Sequence, residues 1–316
     1  MNSPSPLTQP ATDHALASDP ENRELPQTAR TAPASDETNL PKMADTIRTS
    51  LEPTKVKKDY ALITGASSGI GEAFARLFAS KNKPLILIAQ NEDKLKTLAA
   101  ELREKHNVDV RFIASNLARS KTLPELPGKL KRMGITVDIL VNNAGFGKYE
   151  AEHKIRYEDS LNMVNLNCRT LLGLTKLFLP EMLARKKGAI INIASAAGFF
   201  PVPYMATYAA SKAFVINFSE ALAEEVKDKG VRVVCACPGA TSTNFQKRAG
   251  INASEHRDLM QLSDPFTVAE QTIEALKNGK VLAIVGKTSF ITKYAPLFAP
   301  RNILARIGKR LMNPKA

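Results

Sequence analysis

Cysteine is scarce in this chain of 316 residues, which has only Cys168, Cys235 and Cys237. An odd, small number gives no disulfide framework. Cys235 and Cys237 stand two apart in an apolar run, so on a strand they share one face. Buried free thiols in a reducing compartment are the reading that follows. The four histidines are scattered and build no cluster, and no metal site is expected. No apolar run approaches the roughly 20 residues needed to span a bilayer. The first residues lack the cationic start and apolar block of a secretory signal, and their many acids argue against a transit peptide. A cytoplasmic location is expected. Zinc spacings, an aromatic RNA-binding signature and arginine-rich runs are all missing, which argues against nucleic acid as a partner. No repeat of solenoid length is present.

Charge, by contrast, is plentiful and uneven. The formal net charge is +13, yet residues 1–50 hold four basic and seven acidic residues, a balance of −3. Residues 51–316 therefore carry +16. A basic body suits anionic ligands such as a phosphorylated cofactor, or an anionic surface. Residues 1–56 are rich in Pro, Ser, Thr, Ala and Asp with no sustained apolar periodicity. Such a segment cannot bury enough surface to offset its ordering entropy, so a disordered extension is expected.

From Asp59 the texture changes. Short apolar runs occur at 60–64, 84–89, 108–114, 138–141, 188–194, 231–237 and 281–285. Helical patterns lie between them, the longest at 157–186 and 204–229. The runs are continuously apolar, as strands covered on both faces require. Repeated strand–helix units give a parallel sheet with right-handed crossovers. The expected fold class is α/β: one domain over residues 57–286, a doubly wound Rossmann-type sheet in three layers, α/β/α. Its ligand belongs beyond the carboxyl ends of the strands. The polar stretch 243–265 is expected to overhang that edge as a lid. The tail 287–316 has seven basic residues and no acidic ones, with Ile303, Leu304, Ile307 and Leu311 on one face of a helix. A basic amphipathic helix of this kind can lie on an anionic membrane. It can equally pack on its own body or a partner subunit.

Four motifs fall on the ligand edge. Thr64-Gly-Ala-Ser-Ser-Gly-Ile-Gly71 joins the first strand to the first helix. Glycines there let the turn tighten, and the helix start offers free N–H groups to a pyrophosphate. Ser67 and Ser68 add hydroxyls. A glycine-rich turn alone is weak evidence, since glycine is the default residue of any tight turn. Tyr208 and Lys212 are four apart on one helix face. A phenol of pKa about 10 exchanges protons poorly near neutrality, and a nearby ammonium stabilises the phenolate. Ser195 ends the preceding strand, where its hydroxyl can reach a developing alkoxide. Asn142-Asn-Ala-Gly145 follows the fourth strand and leaves room for a cofactor. Singly, each is as well explained by a surface pair or a plain turn. All four on the carboxyl edge are not.

Together these motifs resemble the single-domain branch of the short-chain dehydrogenase/reductase family, from about Asp59 to Val285. Cys237-Pro-Gly239 with Thr243, and the interval of thirteen between Ser195 and Tyr208, fit as well. The resemblance implies hydride transfer between a nicotinamide cofactor and a carbonyl or alcohol. It makes Tyr208 the general acid or base, with Lys212 lowering its pKa and Ser195 orienting the substrate oxygen. Asn165, in Met163-Val-Asn-Leu166, takes the role of holding a relay water. The cofactor is expected to touch Gly65, Ser67, Ser68, Gly69, Ile70 and Gly71 at the turn, and Gln90 and Asn91 after the second strand. Asn116 and Leu117, Asn143, Ala144 and Gly145, Tyr208 and Lys212, and Pro238, Gly239 and Thr243 complete the expected contacts. Asn116 stands where the family often has Asp.

Cofactor choice turns on Ala89-Gln90-Asn91. No carboxylate is there to bind a ribose 2′-hydroxyl, and the arginine usual with a 2′-phosphate is also missing. The basic body favours NADP(H) over NAD(H). Phe146, Phe199, Phe200, Pro201, Pro203, Tyr204 and Met205 flank the motifs and suit an apolar ketone, acyl or lipid-like substrate. The family pairs through its long helices, so a homodimer or homotetramer is expected. A member retained for binding or regulation without turnover is the competing reading. A sugar-nucleotide epimerase fits less well, for want of a longer C-terminal domain.

Overall fold

The computed structural model describes residues 48–49, 58–119, 121, 123–251 and 262–313. Eight strands form one sheet: β1 (Arg48–Thr49), β2 (Lys58–Thr64), β3 (Leu85–Ala89), β4 (Val110–Ala114), β5 (Ile135–Asn142), β6 (Gly188–Ile193), β7 (Val231–Pro238) and β8 (Leu282–Val285). Their order is β1-β4-β3-β2-β5-β6-β7-β8. All pairs from β2 to β8 are parallel. The sequence order reverses between β2 and β5, the crevice where such sheets bind ligands.

The strands alternate their side chains between two cores. Ala61, Ile63, Leu85 and Leu87 face one way, against Phe74 and Leu77 of α1 (Gly69–Ala79), Leu95 and Leu98 of α2 (Glu92–His106), and Ile273 and Leu276 of the helix Pro265–Lys277. Tyr60, Leu62, Ile86 and Ile88 face the other way. They meet Leu130 of α3 (Leu126–Arg132), Leu174, Phe178 and Met182 of the helix Leu171–Ala184, and Leu222 and Val226 of the helix Ala206–Val226. Side chains with period two, both sets apolar, explain why the sequence shows unbroken apolar runs. Fully burying each Leu or Ile stabilises the fold by about 1.5–3 kcal/mol.

Two expectations change in detail. The long helix expected over 157–186 is α4 (Tyr157–Val164), a π-helical turn (Asn165–Thr170) and α5 (Leu171–Ala184). The helix expected over 204–229 is α6, Ala206–Val226. Of the extension 1–56, only Arg48 and Thr49 are described. They are not free of structure: they pair antiparallel with Ala114 and Ile113 at the sheet edge. A two-residue strand carries no periodicity that a sequence reading could detect.

After β7 come α7 (Phe245–Ala249) and α8 (Pro265–Lys277), the latter capped by Asp264, which accepts a hydrogen bond from the Thr267 N–H at 3.0 Å. The expected lid over 243–265 is thus helical at Phe245–Ala249, and its residues 252–261 lie outside those described. The tail forms two helices, α9 (Lys287–Phe298) and α10 (Arg301–Leu311), split at Ala299-Pro300. The Tyr149 hydroxyl donates to the Met312 carbonyl at 2.7 Å and fastens the end of the chain to the body. Among the described residues no helix is long and apolar enough to cross a membrane.

Candidate active site

A cavity of about 1030 Å³ opens along the carboxyl edge of the sheet. Its floor begins at the β2–α1 turn. Gly65 and Gly69 both have positive φ, 65° and 61°, which L side chains rarely adopt. A Cβ on Gly65 would stand 2.8 Å from Asn143 Nδ2, and one on Gly69 would stand 2.9 Å from Thr243 Cγ2. The turn is therefore pressed between two other loops of the same edge. Thr64 ties it down: its hydroxyl accepts from the N–H groups of Asn143 and Ala144 at 2.9 and 3.0 Å. Asn143 Nδ2 returns a bond to the Thr64 carbonyl at 2.8 Å. Asn142 bonds Asn192 across the strands at 2.9 Å, and Asn192 bonds Ser219 of α6 at 2.9 Å. These amides hold the strand ends in register, so the loops they carry cannot drift.

Gly65, Ser67, Ser68, Gly69 and Ile70 line the cavity, as do Gln90, Asn91, Asn116 and Leu117. Asn143, Ala144, Gly145, Pro238, Gly239 and Thr243 line it too. Gly71 does not. It is buried against the Gly65 carbonyl and Asn143, where the lack of a side chain lets the turn pack on the helix. Asn91 has a second task, since its side chain caps α2 by accepting from the Lys94 N–H at 2.8 Å.

Ser195, Tyr208 and Lys212 meet at the middle of the cavity wall. Tyr208 and Lys212 are buried on the first turns of α6, and Ser195 follows β6. Lys212 Nζ donates to the Ile193 carbonyl at 2.8 Å and lies 5.7 Å from the centre of the Tyr208 ring. Phe245 also packs on that ring, tilted, centroid to centroid 5.3 Å. Burial pushes the Tyr208 phenol up to about 12, against the opposing effect of its hydrogen bond with Ser195. Burial also draws the Lys212 ammonium down to about 8. Loss of water is the largest influence on both groups.

At the fourth position the structure sets Asn167, and not the expected Asn165, beside Gly145 and Lys212. Its Nδ2 donates to the Phe146 carbonyl and to Ser211 Oγ, both at 2.9 Å, and its Oδ1 accepts from the Phe146 N–H at 3.1 Å. A Cβ on Gly145 would lie 3.0 Å from Asn167 Oδ1 and 3.4 Å from Lys212 Nζ, so the two groups flank one point. Residues two apart in a π-helical turn point to opposite sides, which takes Asn165 away from Lys212. The bulge is held by Thr170, whose hydroxyl donates to the Asn165 and Leu117 carbonyls, both at 3.0 Å. The only sequence signal was a choice between two asparagines, and spacing by an ordinary helix does not decide it.

The far end of the cavity is apolar. Phe146, Phe200, Met205 and Phe245 line it, joined by Ile251. Of the other flanking residues, Phe199 packs instead among Leu171, Val215 and Ile216, and Pro203 backs Gly308 of α10. The tail supplies a wall the sequence did not reveal: Ile291, Ala295, Leu304, Ile307 and Met312 all line the cavity.

Residues 59–253 match the family model described as short chain dehydrogenase. The chain belongs to this family. Very-long-chain 3-oxoacyl-CoA reductase of Rattus norvegicus is 36% identical over 195 residues, 60% of this chain and 61% of that protein. The match thus spans less than two thirds of such relatives. Among solved structures, a short-chain dehydrogenase from Sphingobium yanoikuyae in complex with NADPH superposes with a TM-score of 0.66 at 30% identity, covering 82% of this chain and 96% of the other. L-sorbose reductase from Gluconobacter frateurii, complexed with NADPH and L-sorbose, gives 0.62 at 30%, covering 72% and 94%.

Proposed function

We propose that this member of the family reduces an apolar ketone or acyl-type carbonyl with NADPH. The observation that carries the reading is where Tyr208 sits, with Ser195 beside it, between a glycine-walled trough and an apolar compartment. The trough fits a dinucleotide, since Gly65 and Gly69 take the positive φ of a tight turn and line the cavity at the start of α1, where backbone can approach a pyrophosphate. When bound, the nicotinamide supplies the hydride. Gly65, Ser67 and Ser68 are assigned the phosphates, Pro238, Gly239 and Thr243 the nicotinamide amide, and Asn116 and Leu117 the adenine side.

The chain's own part is proton chemistry. A phenol pushed up to about 12 is fully protonated at neutral pH. Protonated phenol is the form that donates, and in the reduction Tyr208 gives its proton to the developing alkoxide. Ser195 orients that oxygen. Lys212, still mostly charged at neutral pH, holds the Ile193 carbonyl and faces Asn167 across Gly145. Asn167 takes the relay role given above to Asn165, one acceptor lone pair being left after its three bonds.

NADP(H) is favoured over NAD(H) because Gln90, Asn91, Ser115, Asn116 and Arg119 form the adenosine end with one cation and no carboxylate. The relatives named as 3-oxoacyl-CoA reductases support an acyl substrate, and the apolar compartment has the matching chemistry. Exposed Tyr157, Leu161 and Val164 on α4 and Phe214 on α6 are assigned to subunit pairing. The test is nicotinamide turnover on a panel of ketones and 3-oxoacyl thioesters. NADPH should be preferred in the wild type, and Gln90→Asp should move preference towards NADH. Equal use of the two cofactors by the wild type contradicts the assignment.

A further inference from the structure

Helix α9 carries its apolar residues on the side a folded body normally turns inward. Phe290, Ile291, Tyr294, Leu297 and Phe298 fall at i, i+1, i+4, i+7 and i+8, one continuous stripe. Phe290 is 58% exposed, Ile291 66%, Leu297 74% and Phe298 86%. The Phe290 and Tyr294 rings touch, with centroids 4.7 Å apart, so the aromatic pair stands together on the surface. Ile303 and Ile307 of α10 are exposed beside it.

Two further observations bear on what covers this stripe. First, it runs into the cavity: Ile291 and Ala295 of α9, and Leu304 and Ile307 of α10, line the wall. The exposed apolar surface is the lip of the substrate compartment. Second, its charge has one sign. Residues 287–316 hold Lys287, Lys293, Arg301, Arg306, Lys309, Arg310 and Lys315 and no carboxylate. A second copy seated here would set like charges against each other with no acid to receive them. An anionic lipid leaflet takes both features, the rings into its acyl boundary and the cations at its headgroups.

We propose that α9 and α10 dock on an anionic lipid leaflet and that the cavity mouth opens into it. Phe290, Leu297 and Phe298 enter the acyl boundary, while Arg306, Lys309 and Arg310 remain at the headgroups. A lipid-dissolved substrate then reaches Tyr208 without crossing bulk water. That route of entry rests on the apolar-substrate reading above, whereas lipid binding does not.

The experiment is co-sedimentation of the full-length protein with phosphatidylglycerol-containing vesicles and with pure phosphatidylcholine vesicles. The variant is Phe290→Ser with Leu297→Ser and Phe298→Ser, none of which lines the cavity. Its circular dichroism and NADPH binding report whether the fold survives. The wild type should bind anionic vesicles at least about tenfold better than neutral ones, and the variant should lose at least about tenfold of that. A wild type that stays in the supernatant with anionic vesicles overturns the proposal. Full-strength binding by the variant overturns it too, as does a wild-type dimer dissolved by the variant without vesicle binding. Vesicle binding without carbonyl turnover would instead count against the reductase reading alone.

Discussion

Two asparagines of the π-helical turn differ in what they hold. Asn167 is buried in three hydrogen bonds and Asn165 makes none of them. Asn167→Ala strands the Phe146 backbone groups and Ser211, at a cost on the order of 2 kcal/mol, and should also slow turnover. Asn165→Ala should leave both near wild type. Thermal unfolding and kinetics on the pair decide it, and equal effects would remove the relay from Asn167. Lys212 gives a stability test with a defined sign. Its ammonium is lowered to about 8 from the usual 10.5, so at neutral pH burial costs about 3 kcal/mol. Between those values the unfolded chain binds more protons than the folded one, so folding stability rises with pH. Denaturant titrations should therefore show the wild type gaining on Lys212→Met from pH 8 to 10. Above pH 10 the raised Tyr208 phenol acts in the opposite direction. A flat difference from pH 8 to 10 would mean that Lys212 is not desolvated as described.

At the scale of elements, legibility followed periodicity. The seven parallel strands were readable because residues such as Tyr60 to Ile63 are apolar on both faces. The turn from Thr64 to Gly71 was readable because a strand, a glycine cluster and a helix succeed one another. The π-helical turn was not. It shifts the register of facing residues by hydrogen bonds from Thr170 to Leu117 and Asn165, which depend on tertiary contact. Nor was Gly71's task separable from Gly65's, since both are glycines of one motif. The structure separates them: a Cβ on Gly71 would stand 2.5 Å from Asn143 Nδ2. Gly71→Ala should cost about 1–3 kcal/mol through overpacking. Because Gly71 holds the turn and does not line the trough, NADPH affinity should fall only as far as the turn moves. Loss of binding with no loss of stability would return Gly71 to direct contact.

At the scale of the molecule, the tail proves to be part of the active-site enclosure. Its amphipathic pattern was visible in the sequence, but its seat was not. That seat is set by Tyr149 bonding Met312, and by Gly308 lying 3.3 Å from Pro203 where a Cβ would stand. Ending the chain after Ala299 removes Leu304, Ile307 and Met312 from the wall. KM for long apolar carbonyls should then rise while NADPH binding holds. The proposed chemistry rests on Tyr208 donating the proton in a nicotinamide-dependent reduction. The direct measurement is NADPH consumption by Tyr208→Phe beside the wild type, with NADPH affinity measured on both. Loss of a positioned general acid should cut the rate by about 10²–10⁴-fold and leave NADPH affinity within about twofold. A variant that turns over near the wild-type rate would contradict the account.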